Sequence, residues 1–222
     1  MYYPYRSVYR NQNEGLENKN IIKVIGEGMV TAVPNQASAT IGVITEGKDL
    51  TEAQKENSDT ISRIISVLST FNVPQKNVQT VEYQVSTEYD YVDGKQIFRG
   101  YRVSNLLKVT LDAVNQLGAI INRVIEAGAN NVSNVQFSVS DPNPYYLQAL
   151  KRALRNAHEK AEVIVDNLKV KWSSTPVHVE ELRKVNGPIE PQLTFVKGVS
   201  TEQFQPGILQ FNADVLVKYL YS

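Results

Sequence analysis

The sequence predicts an α+β fold: a two-layer sandwich of duplicated β-α-β units in the ferredoxin-like order β-α-β-β-α-β, then a long third helix and C-terminal strands. Three observations carry this. Apolar residues alternate with polar ones over several short stretches, as half-buried strands require. Between those stretches lie segments with one apolar stripe at helical spacing. Finally, Asn77, Val78, Val81, Val85 and Ser86 recur as Asn131, Val132, Val135, Val139 and Ser140, with Tyr83 aligned on Phe137. Each copy follows a strand and an amphipathic helix, so the repeat is read over about 36–86 and 100–140.

Residues 1–20 are polar and tyrosine-rich, with Tyr2, Tyr3, Tyr5 and Tyr9. A flexible arm is expected, with docking on another subunit through the rings as the sharper alternative. Residues 21–222 are expected to form the folded domain. Ile21–Val33 reads as a strand interrupted at Gly26-Glu27-Gly28, and Pro34-Asn35 ends it. In the next strand Ala37, Ala39, Ile41 and Val43 alternate with smaller or polar residues. Asp49 followed by Glu52 is a capping pair for a helix whose stripe is Leu50, Ala53, Ile61, Ile64, Leu68 and Phe71. Pro74 stops that helix.

The strongest local signal is a hairpin. Val81, Tyr83, Val85, Thr87, Tyr89 and Tyr91 alternate with polar residues up to Asp93-Gly94. That pair suits a type I′ turn, in which both central residues need positive φ. The return strand carries Tyr101, Val103, Leu107, Val109 and Leu111. Alternation predicts Tyr83, Val85, Tyr101, Val103 and Val109 inside, with Glu82, Glu88 and Lys108 outside. A shorter helix after Asp112 buries Val114, Leu117, Ile120, Ile121, Val124 and Ile125, and Gly128 supplies its C-terminal cap. Val135, Phe137 and Val139 form the next strand. Asp141 and Pro144 open a long helix in which Leu147, Leu150, Leu154, Ala157, Ala161, Ile164 and Leu168 read as the buried seam. Val177–Val179 starts a strand, 186–207 is a long Gly/Pro-punctuated loop, and Leu209–Tyr221 alternates as the last strand.

Lys plus Arg and Asp plus Glu are equal at 23 each in the 222 residues, so the formal net charge is zero. Phosphate neutralisation calls for a basic excess, and no nucleic-acid partner is expected. Cysteine is absent, which removes disulfides, thiolate nucleophiles and Cys-held metals. No apolar run is long enough to span a bilayer. Residues 1–15 hold Arg6 and Arg10 without a following apolar stretch, so the chain as written is expected in the cytoplasm.

Certain motifs are familiar in their order. Ile25-Gly26-Glu27-Gly28, Val33-Pro34, Glu46-Gly47-Lys48 and Ala53-Gln54-Lys55-Glu56-Asn57 come first. Gly100-Tyr101-Arg102-Val103-Ser104-Asn105, Ala127-Gly128-Ala129-Asn130, Ser140-Asp141-Pro142 and Gln205-Pro206-Gly207-Ile208 follow. Together they resemble the SIMPL-domain family over about 21–221. The resemblance implies a mainly bacterial group that includes periplasmic, surface-immunogenic and oxidative-stress-associated proteins. It supplies no catalytic residues to carry over. It also leaves a periplasmic or cell-surface location open.

Candidate chemistry is sparse. Gly26-x-Gly28 lacks a third glycine and a following helix, so a strand bulge or bend explains it better than a dinucleotide site. His178 and Glu180 share a strand face but have no evident third ligand, and His158 flanks the long helix. No Gly-x-Ser-x-Gly elbow occurs. We therefore expect no catalytic residue, no cofactor and no metal ligand. Lys151, Arg152, Arg155 and Lys160 make a basic run whose plain meaning is a solvated face. The leading expectation is a non-enzymatic SIMPL-like homo-oligomer or partner-binding protein of stress or envelope physiology. Self-association is assigned to Tyr2, Tyr3, Tyr5, Tyr9, Leu193, Phe195, Val196 and Phe204. The alternatives are an enzyme or small-molecule binder with a site at a subunit junction, or a weak nucleic-acid or membrane binder using helix residues 151–160.

Overall fold

Period-two alternation becomes seven strands among the residues described by the computed structural model, 20–182 and 205–222. The residues assigned to self-association, from Tyr2 to Tyr9 and from Leu193 to Phe204, lie outside them. The strands are β1 (Ile21–Ala32), β2 (Gln36–Gly47), β3 (Val78–Val92), β4 (Lys95–Leu111), β5 (Asn131–Ser138), β6 (His178–Glu181) and β7 (Leu209–Leu220). The helices are α1 (Leu50–Thr70), α2 (Leu117–Glu126) and α3 (Asn143–Leu168). The class is α+β, with two separate sheets of three and four strands. The chain divides into two compact units.

One unit holds β2, α1, β3, β4, α2 and β5. Its sheet has the order β3-β4-β2-β5, with every neighbouring pair antiparallel. The capping reading of α1 holds, since the Asp49 carboxylate accepts the Glu52 N–H at 3.0 Å. Asp93 and Gly94 have φ of 50° and 73°, the geometry a type I′ turn needs. Ile41 and Val109 from the strands meet Ile64, Leu68, Ile120 and Val124 from the helices in one core.

The hairpin is only half buried as predicted. Val103 and Val109 are fully buried, but Tyr83 is 57% and Val85 39% exposed, and Tyr101 is half-buried. The cause is position in the sheet: β4 is flanked by β2, while β3 is the edge strand. Glu82 and Lys108 are exposed as expected, and Glu88 is half-buried beside Arg99.

The other unit holds most of β1, with α3, β6 and most of β7. Its sheet has the order β1-β7-β6. The expected interruption of β1 is absent: burial alternates without a break through Gly26 and Gly28. A Cβ on Gly26 would lie 2.1 Å from the Ala153 carbonyl oxygen, and one on Gly28 2.0 Å from that of Ala149. The two glycines therefore admit a helix backbone rather than form a bulge. The seam of α3 is only partly the one expected, Ala157 and Ala161 being common to both. Ala149, Ala153, Ala157, Ala161 and Val165 are buried, whereas Leu147, Leu154, Ile164 and Leu168 are exposed. Only small residues fit where the helix backbone rests on a glycine-bearing strand, so the leucines are turned outward.

Candidate functional site

The basic run of α3 is partly committed to β1. Arg152 Nη1 donates to the Met29 carbonyl at 2.7 Å, and Lys160 Nζ donates to that of Ile25 at 2.8 Å. Between them the Asn156 Oδ1 accepts the Glu27 N–H at 3.1 Å. Residues 152, 156 and 160 are spaced by one helical turn, and 25, 27 and 29 are alternate strand residues, so one polar helix row meets one strand edge. Edge strands invite pairing with other chains, and this row occupies polar groups that would otherwise offer it. Lys160 also lies 3.7 Å from Glu27. Lys151 and Arg155 of the run are exposed.

The histidines are placed apart. His178 Nε2 is 3.5 Å from Glu180 Oε2 on an exposed strand, and its cross-strand neighbour is Lys218. A cation at that place opposes metal binding. Among the described residues no group of three or more His, Cys, Asp or Glu is arranged to hold an ion. His158 belongs to an aromatic cluster, 5.3 Å from Trp172 and 6.1 Å from Tyr219 between ring centroids. Burial pushes the Tyr219 hydroxyl above the ordinary tyrosine range.

Two asparagines have structural duties. The Asn57 amide, buried on α1, donates to the carbonyls of Val43 at 3.1 Å and Val103 at 3.0 Å, which ties the helix to two strands. The Asn130 amide accepts from the Ile44 N–H and donates to its carbonyl, both at 2.8 Å. It thereby imitates a strand just before β5 begins.

Among the described residues the end of the β3–β4 hairpin is an uncovered apolar surface. β2 accompanies β4 only as far as Gly47 opposite Tyr101, so, among the described residues, 89–92 and 95–98 pair with each other alone. Tyr83 accepts a hydrogen bond from Gln54 of α1 at 3.3 Å, which identifies the α1-side face. On that face Phe98 packs edge-on against Tyr89 and Tyr101, at 6.0 and 5.2 Å. Tyr89, Tyr91 and Phe98 are 42%, 75% and 46% exposed. The opposite face carries ions: Arg99 lies 3.1 Å from Glu46 and 3.7 Å from Glu88. Sequence reasoning put Tyr89 and Tyr91 on the apolar face of the hairpin together with Tyr83 and Val85, which it expected in the core, and did not single out Phe98. The signal against that was length: the hairpin strands run to 15 and 17 residues, but β2 beside them only to 12.

Comparison with known proteins agrees with the motif order. Residues 22–219 match the family model described as SIMPL, protein of unknown function (DUF541). The Escherichia coli (strain K12) protein named "Uncharacterized protein YggE" is 27% identical over 199 residues, covering 87% of this chain and 80% of that protein. The "26 kDa periplasmic immunogenic protein" of Brucella melitensis is 26% identical over 163 residues, covering 71% of this chain and 65% of that protein.

Proposed function

The chain belongs to the SIMPL family, and from that premise we propose that it works as a non-enzymatic assembly or protein-binding module. The observation that carries the reading is the hairpin. A ribbon extending past its sheet exposes Tyr89, Tyr91 and Phe98 on one face. Exposed aromatic rows of this kind are typical of surfaces that meet another protein. Zero formal net charge leaves little long-range repulsion between copies. The basic helix gives less support to a nucleic-acid or membrane role, because Arg152 and Lys160 already bond strand carbonyls.

The element order β2-α1-β3-β4-α2-β5 supports reading residues 36–138 as a duplicated β-α-β unit of the ferredoxin-like kind. The Brucella relative is named for the periplasm. We carry the cell envelope to this chain as the setting that competes with the cytoplasm, and fractionation of the native cell separates the two. No described helix is long and apolar enough to cross a membrane.

Light scattering behind a sizing column tests self-assembly. A mass above that of one 24.9 kDa chain at tens of micromolar is expected. A monomer that also captures no partner from its native cell would refute the whole reading.

A further inference from the structure

Self-assembly, on which the following rests, needs a donor and an acceptor surface. β3 ends the sheet order β3-β4-β2-β5 and has no strand on its outer side among the described residues. Its alternation sorts side chains by chemistry. Tyr83, Val85, Tyr89 and Tyr91 lie on the α1-side face, while Glu82, Glu88 and Asp90 lie on the other. No lysine or arginine occurs anywhere in β3.

Residues 1–12, Met-Tyr-Tyr-Pro-Tyr-Arg-Ser-Val-Tyr-Arg-Asn-Gln, hold the complementary pattern. Odd positions include Tyr3, Tyr5 and Tyr9; even positions include Arg6 and Arg10; acids are absent. In an extended strand these two sets point to opposite faces. We propose that residues 1–12 of a second copy add as a strand to the free edge of β3. Backbone hydrogen bonds would supply adhesion, and side-chain alternation the register. The added strand sets Tyr3, Tyr5 and Tyr9 beside the tyrosines of β3, and Arg6 and Arg10 beside its carboxylates. Cross-strand aromatic and opposite-charge neighbours both favour that arrangement. The lengths suit: twelve extended residues span about 40 Å, and a strand as long as β3 about 50 Å. Pro4 is admissible because the added strand becomes the new edge, with the proline nitrogen facing outward.

The test is a pair of charge reversals in the full chain, followed by sedimentation velocity over a concentration series. One variant is Arg6→Glu with Arg10→Glu; the other is Glu88→Lys with Asp90→Lys. Each alone is expected to weaken self-association about tenfold or more, by setting like charges side by side. Mixing the two restores it, because each arm then finds an opposite charge on the other variant's hairpin. Circular dichroism checks that both remain folded. Variants that associate like the parent chain overturn the strand addition and leave self-assembly standing. Two weakened variants that do not recover on mixing exclude docking on a second copy. A parent chain that stays monomeric removes the self-assembly reading as well. Restoration on mixing has no explanation through docking within one chain.

Discussion

At single residues the decisive feature is what a side chain would displace. A Cβ on Gly28 would meet the Ala149 carbonyl oxygen at 2.0 Å and the Ala153 nitrogen at 2.5 Å, both backbone atoms of α3 that cannot rotate away. Gly28→Ala must lift the helix off β1, at a cost of about 1–3 kcal/mol or more. An unchanged urea midpoint would show that the helix does not rest there. Tyr219 makes a separate prediction about pH. It is 3% exposed, and burial raises its pKa above the ordinary tyrosine value of 10.0. The folded state then holds the phenolic proton more tightly than the unfolded chain does. Its contribution is fully present below pH 10.0 and is lost as pH rises beyond it. Urea midpoints between about pH 9 and 11.5 should fall more steeply for the parent chain than for Tyr219→Phe. Parallel curves would mean that Tyr219 is not the group responsible.

Among the elements α3 shows how far the sequence could be read. Its length was legible from the cap region and the absence of a breaker, and the hairpin was legible from Asp93-Gly94. The buried face of α3 was legible only in part: Ala157 and Ala161 were read into it, but so were Leu147, Leu154, Ile164 and Leu168, and Ala149 and Ala153 were passed over because a search for large apolar residues favours leucine. Leu147, Leu150 and Leu154 look like a seam, yet the helix must approach a strand bearing Gly26 and Gly28, and that favours Ala149, Ala153 and Ala157. The glycine pair was visible in the sequence, but only the fold shows that a helix needs it. The same limit applied to the hairpin. Alternation fixed which residues share a face, and the short partner strand β2 decided that Tyr89 and Phe98 would be uncovered. A paired substitution tests the assignment. Ala153→Leu, at a fully buried site absent from the expected seam, should cost about 1–3 kcal/mol through overpacking, whereas Leu154→Ala, at a position 39% exposed, should cost under about 1 kcal/mol. The seam read from the leucines demands the reverse order, and thermal unfolding of both variants distinguishes the two.

Across the whole molecule the two units are threaded differently, and that makes an asymmetric prediction. The unit built on β1, α3, β6 and β7 draws, among the described residues, on 20–30, 143–182 and 211–222, so no single stretch contains it. The unit built on β2 to β5 draws on 31–142 and, among the described residues, on 205–210, and its complete helices and strands lie within 31–142. Its core cluster, from Ala37 through Ile64 and Val109 to Phe137, lies wholly within that stretch. So do the cap of α1, Asp49 on Glu52, the Asn130 bonds to Ile44 and the helix-to-strand bonds of Asn57 to Val43 and Val103. A contiguous stretch with its own core and satisfied ends meets the requirements for independent folding. Residues 31–142 expressed alone should therefore unfold cooperatively in urea and give dispersed amide resonances. In that fragment Val103→Ala, at a fully buried site, should lower the midpoint by the equivalent of about 1–3 kcal/mol. A fragment with no cooperative transition would show that this core depends on the remainder of the chain, whatever the contacts within it.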